Sequence, residues 1–214
     1  MGSEIPKQQM TEQRARVRSV VNNLIQTLHK EYGWFNDEEL QNTPLRITKF
    51  YEEWHNNRNN FQFTTFPIQE EVMVVMTDIN FYSMCAHHML PFFGTVSIAY
   101  LPKRNGKVCG ASKLVRQVTK VFSKPGTQEP MTTELADGLY RELSTFDDDD
   151  SVNSEPDFLM VRVKGTHTCM MIRGVKQSTT MITSSLKFDK RMESKLDHLK
   201  SEAFEAWKAG ERSD

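Results

Sequence analysis

Near residue 68 the spacing of apolar residues changes, and a chain that changes period this way must combine helices with a sheet. Before that point Val17, Val20, Val21, Leu24, Ile25 and Leu28 recur at three- and four-residue intervals, and Gly33 follows as a helix stop. A second helix is expected with Thr43 as its N-cap and Pro44 in its first position. Ile47, Phe50, Tyr51 and Trp54 form its apolar face, and Asn56 to Asn60 end it. Beyond residue 68, "EEVMVVMTDINFYSM" is rich in β-formers, and "TVSIAYLP" alternates with Val96, Ile98 and Tyr100 on one side. Asn105-Gly106 reads as a hairpin turn returning through "KVCG".

Two more helices follow, separated by Pro125-Gly126 and Pro130. One carries Leu114, Val115, Val118, Val121 and Phe122, the other Met131, Leu135, Leu139 and Leu143. "DFLMVRVKGTHTCMMIRGV" and "QSTTMITSSL" read as strands, and Lys190 to Ala209 as a polar-faced terminal helix. The acidic run "FDDDDS", ahead of these strands, is a solvated loop, since adjacent carboxylates repel and lack calcium-ligand spacing. This order of elements is α+β with a four-stranded antiparallel sheet. It divides into an N-terminal helical extension (1–65), a central domain (66–188) expected to carry any site, and a C-terminal helix (189–214).

The formal net charge of −1 removes the basic excess expected of a nucleic-acid or anionic-membrane partner, so any anion binding must be local. The opening "MGSEIPKQQM" lacks a signal-peptide apolar region, Pro6 spoils a myristoylation pattern, and no apolar run reaches membrane length. Three cysteines at wide spacing, Cys85, Cys109 and Cys169, do not make a disulfide framework, and a reducing cytoplasm is the expectation.

Cys85 and His88 stand in a C-x-x-H spacing, from which a thiolate and an imidazole converge on one metal, zinc being the natural occupant. Cys169 follows His167 by two residues on an expected strand, which would turn both side chains to one face. Cys85, His88 and Cys169 together leave a fourth tetrahedral position for water, whose pKa zinc lowers towards about 7. Two other readings satisfy the same spacing. In one, buried cysteines only pack as small hydrophobes; in the other, Cys109 or His87 closes a structural zinc site. Ser112, Lys113 and Arg116 open a helix and share a face, where free N–H groups, two cations and a hydroxyl suit phosphates. Arg173 lies four residues past Cys169. An ordinary solvated helix face would carry the same residues.

These segments together resemble the GTP cyclohydrolase I family. The likeness runs from about Arg14 to Phe188, through "TPLRITKFY", "CAHHMLPFFGTVSIAYLP", "GASKLVRQV", "TQEPMT", "THTCMMIRGV" and "TTMITSS". It implies the tunnelling fold, with helices on one face of the sheet, in a homodecamer of two pentamers with active sites at subunit interfaces. It implies zinc on Cys85, His88 and Cys169, with GTP as substrate. The triphosphate would be held by Ser112, Lys113, Arg116 and Arg173, with Arg46 reaching in from a neighbouring subunit. Gln128 and Glu129 match the segment that recognises guanine. His87 matches the acid at N7, and His167 the histidine of the later step that releases formate. The product would be 7,8-dihydroneopterin triphosphate. Where the family usually carries glutamate, this chain has Ala86, which removes a carboxylate able to orient an imidazole or raise its pKa. That substitution motivates a non-catalytic GTP-binding homologue as a second reading. A third is a relative acting on another purine or pterin, against which Cys85, His87 and Glu129 argue jointly.

Overall fold

The computed structural model describes residues 7–56, 61–146 and 152–210. The carboxylates of the acidic run, 147–150, lie outside the described residues. The chain forms two compact units, Met1–Asn60 and Phe61–Asp214.

The first unit holds α1 (Lys7–Tyr32) and α2 (Asp37–Asn56). Gly33 ends α1 in the left-handed region, with φ +67° and its N–H donating to His29 O at 2.7 Å. Of the apolar stripe on α1, Val21 and Ile25 are buried, while Val17, Val20 and Leu24 are exposed. The expected start of α2 is corrected. Asn36 Oδ1 accepts from Glu39 N–H at 3.0 Å and Glu39 Oε2 accepts from Asn36 N–H at 2.9 Å. That reciprocal cap begins the helix well before Thr43 and leaves Pro44 inside it.

The second unit contains β1 (Thr65–Pro67), β2 (Val74–Cys85), β3 (Pro91–Leu101), β4 (Lys107–Cys109), α3 (Ala111–Phe122), β5 (Pro125–Gly126) and α4 (Gln128–Leu143). It continues with β6 (Thr145–Phe146), β7 (Val152–Ser154), β8 (Phe158–His167), α5 (Thr168–Met171), β9 (Thr180–Phe188), a 3₁₀ turn (Lys190–Lys195) and α6 (Leu196–Gly210). The main sheet has the order β5-β2-β3-β8-β9. Its four long strands are antiparallel, and the short β5 adds a fifth, parallel to β2, which makes the sheet mixed. The Asn105-Gly106 turn forms, with Asn105 at φ +60°. Its returning strand β4 nevertheless pairs with β1 rather than β3, because β2 and β8 already occupy both edges of β3. The true hairpin is β2–β3, and the C-x-x-H segment is its turn.

Alternation along β3 and β8 sends side chains to two separate cores. Val96, Ile98, Tyr100, Leu159, Val161 and Val163 pack with α3 and α4 residues such as Leu114, Phe122 and Leu135. Ala99, Leu101, Phe158 and Met160 face the other way, onto Leu199, Ala203 and Trp207 of α6. Helices therefore cover both faces of the sheet, not one. The polar-looking terminal helix carries an apolar stripe at four-residue spacing that fills the second face.

Candidate metal centre

The β2–β3 turn is closed by Cys85 N–H to Leu90 O at 2.9 Å, His88 N–H to Cys85 O at 3.3 Å, and Met89 N–H to Cys85 O at 2.9 Å. Met89 takes φ +53° to complete it. This geometry brings Cys85 Sγ and His88 Nδ1 to 3.6 Å. Cys169 arrives from elsewhere in the chain. The strand expected through "HTC" stops at His167, and Cys169 lies on the single helical turn α5, so the same-face strand argument is corrected. Thr168 Oγ1 donates to Pro91 O at 2.5 Å and ties that turn to the start of β3. The ligand atoms of Cys85, His88 and Cys169 all lie within 4.8 Å of one another.

A tetrahedral zinc with ordinary bond lengths would separate sulfur from nitrogen by about 3.6 Å and sulfur from sulfur by about 3.8 Å. The set fits. Burial pushes the Cys169 thiol up, and the nearby Cys85 sulfur adds to the rise while Arg173 opposes it. A cation between the two sulfurs would favour their ionised forms and offset that rise. Neither Cys109 nor His87 joins the cluster among the described residues. Cys109 is buried with its Sγ 3.6 Å from the Tyr100 hydroxyl, and that same hydroxyl accepts Cys109 N–H at 3.2 Å. Its role is packing.

His87 is exposed, its ring 6.1 Å from that of His88 and nearly perpendicular to it. His167 is half-buried and stacks on Phe92 with ring centroids 4.6 Å apart and planes 4° from parallel. Burial lowers its pKa, against the pull of Glu129. His167 Nε2 lies 3.0 Å from Gln128 Oε1. Gln128 is fully buried, with Nε2 donating to Val163 O at 3.3 Å, Met181 O at 3.1 Å and Thr183 Oγ1 at 3.1 Å. Its side chain is thus committed inside the protein, while the neighbouring Glu129 is exposed at the start of α4.

Ser112, Lys113 and Arg116 lie on the first turns of α3, Ser112 and Arg116 exposed and Lys113 half-buried. Arg173 is exposed just after α5. Arg46 belongs to α2 in the other unit, where it meets Glu38 Oε1 at 2.9 Å. Sequence reasoning missed Phe92, Thr132, Gly165 and Thr183, which surround His167 and Gln128. Only their tertiary positions mark them out.

A protein-family model described as GTP cyclohydrolase I matches residues 17–204. The GTP cyclohydrolase 1 of Hydrogenobaculum sp. (strain Y04AAS1) is 41% identical over 153 residues, covering 70% of this chain and 76% of that protein. The GTP cyclohydrolase 1 of Geobacillus kaustophilus (strain HTA426) is 41% identical over 156 residues, with 70% and 76% covered. That of Bacillus pumilus (strain SAFR-032) is 35% identical over 177 residues, with 79% and 87% covered. Among solved structures, an archaeosine synthase QueF-like protein in the apo form aligns at TM-score 0.37 and 17% identity, over 53% of this chain and 92% of that one.

Proposed function

The chain belongs to the GTP cyclohydrolase I family, and from that membership we propose how its own residues divide the work. Its activity is that of a GTP cyclohydrolase I. The metal is zinc, held by Cys85, His88 and Cys169; the observation that carries this is the convergence of their ligand atoms within 4.8 Å. Bound there, zinc would supply a Lewis acid able to make water a nucleophile near neutral pH.

Lys113, Arg116 and Arg173 bind the triphosphate with the Ser112 hydroxyl and the amino end of α3, and Arg46 of a neighbouring subunit adds a further cation. Glu129 accepts from guanine N1–H and the exocyclic amine, a pair of donors that adenine does not present. Gln128, first matched to the same task, has its amide occupied by protein groups, so base selection passes to Glu129. His87 protonates N7 as water adds at C8 and the imidazole ring opens to a formamide. His167 handles the proton of the second water, which releases formate. The freed amines then close on the rearranged ribose to give 7,8-dihydroneopterin triphosphate.

The subunits form the tunnelling fold by edge-to-edge closure into a decamer of two pentamers. What supports this is that β9 ends the sheet and the short β5 pairs with only the last residues of β2, so both flanks offer unpaired backbone. A cytoplasmic location agrees with three free thiols. Among the described residues no helix is long and apolar enough to cross a membrane. The test is formate release from GTP by zinc-loaded, assembled protein, with and without a chelator, together with fluorescence of the oxidised pterin. Formate lost on chelation and restored by zinc is expected. No formate from the loaded assembly would overturn the scheme.

A further inference from the structure

The hydrogen bonds around Gln128 leave its amide only one orientation. Thr132 Oγ1 donates its single proton to Gln128 O at 2.7 Å. In the 2.6 Å contact between Thr132 Oγ1 and Thr183 Oγ1, Thr183 is therefore the donor. Thr183 Oγ1 in turn accepts from Gln128 Nε2, beside the carbonyls of Val163 and Met181. Turning the amide over would set its oxygen against the carbonyl oxygens of Val163 and Met181, an arrangement with no proton between them. Gln128 Oε1 must then face His167 Nε2. The backbone makes room for it, since a Cβ on Gly165 would come within 2.1 Å of that oxygen. An amide oxygen only accepts, so the proton of the neutral imidazole sits on Nε2, and Nδ1 keeps the lone pair.

We infer that Gln128 is a positioning residue which locks His167 as its Nε2–H tautomer and so presents Nδ1 as the proton acceptor. The stack on Phe92 fixes the ring plane, and Gln128 fixes which nitrogen works. In the formamide step, a water oxygen bonds to the formyl carbon and gives its proton to Nδ1. That proton then passes to the departing amine nitrogen as the carbon–nitrogen bond breaks, and formate leaves. This inference rests on the role proposed above for His167.

Two measurements test it. The first is ¹⁵N NMR of histidine-labelled, zinc-loaded wild-type protein in alkaline buffer. It should give a protonated-type shift at His167 Nε2 and a lone-pair shift at Nδ1, with the assignment made by comparison with His167→Gln. The opposite tautomer overturns the inference whatever the activity. The second is Gln128→Met, which keeps side-chain length but removes both polar groups. In assembled variant with wild-type zinc content, kcat for formate release should fall by at least about tenfold, while KM for GTP stays within about twofold. Unchanged kcat, or a rise confined to KM, overturns it, the latter returning Gln128 to guanine binding. If the variant does not assemble, the tautomer of the wild type decides alone. Absence of formate from the wild type would instead strike the parent scheme, so the two failures are distinguishable.

Discussion

At the scale of single residues, the centre is built from side chains whose chemistry the sequence announced and whose supports it did not. Cys85 and His88 are legible because a tight turn needs only their spacing. Gln128 was not: the "TQEP" segment shows a polar pair, and nothing local tells that one member points inward to His167 while Glu129 stays in solvent. The reason is physical, since side-chain direction on the first turn of α4 depends on where β8 and β9 pass. Arg173 tests the phosphate assignment at this scale. If Arg173 holds the triphosphate as proposed, Arg173→Ala would remove a charge-assisted hydrogen bond and should raise KM for GTP by roughly 10–100-fold, read from steady-state formate release. Metal content should not change.

Among the elements, the contact between β3 and β8 is the most constrained. Gly94 and Gly165 face each other in the register, and a Cβ on Gly94 would fall 1.8 Å from Lys164 O. Gly94→Ala must push two central strands apart and should cost about 3 kcal/mol or more, measured by urea unfolding. The 3₁₀ turn after β9 offers a pH test. The Arg191 guanidinium, with the Arg191 N–H, holds the Asp189 carboxyl down at about 2. Its folded pKa lies below the unfolded one, so the stabilisation is complete above about 4 and is lost as pH falls towards 2. Wild type should therefore exceed Asp189→Asn in urea midpoint at neutral pH, with the difference closing over that acid range. Element types were largely readable from period alone. What escaped was pairing: "KVCG" reads as the partner of "TVSIAYLP" until β8, far downstream, is seen to claim that edge. The cap of α2 also escaped, because Thr43-Pro44 outweighs Asn36 and Glu39 in a local reading.

For the whole molecule, the second face of the sheet changes how the terminal helix is understood. Its mean composition is polar, yet Trp207 is fully buried, Arg162 lies over its ring, and Leu199 and Ala203 complete the stripe. Trp207→Ala should cost about 3–5 kcal/mol in thermal or urea unfolding. Because that core is separate from the one beneath the metal centre, zinc stoichiometry in the folded variant should match wild type. Sequence reading placed this helix outside the domain because its four-residue stripe is short and flanked by charge. Finally, the donors at the centre come from two distant stretches, the β2–β3 turn and the segment after β8, which the β3–β8 pairing and the Thr168 bond to Pro91 O bring together. A metal held by all three donors would therefore have its full site only after Cys169 has been synthesised and β8 has paired with β3, which would couple uptake to the closing of the sheet.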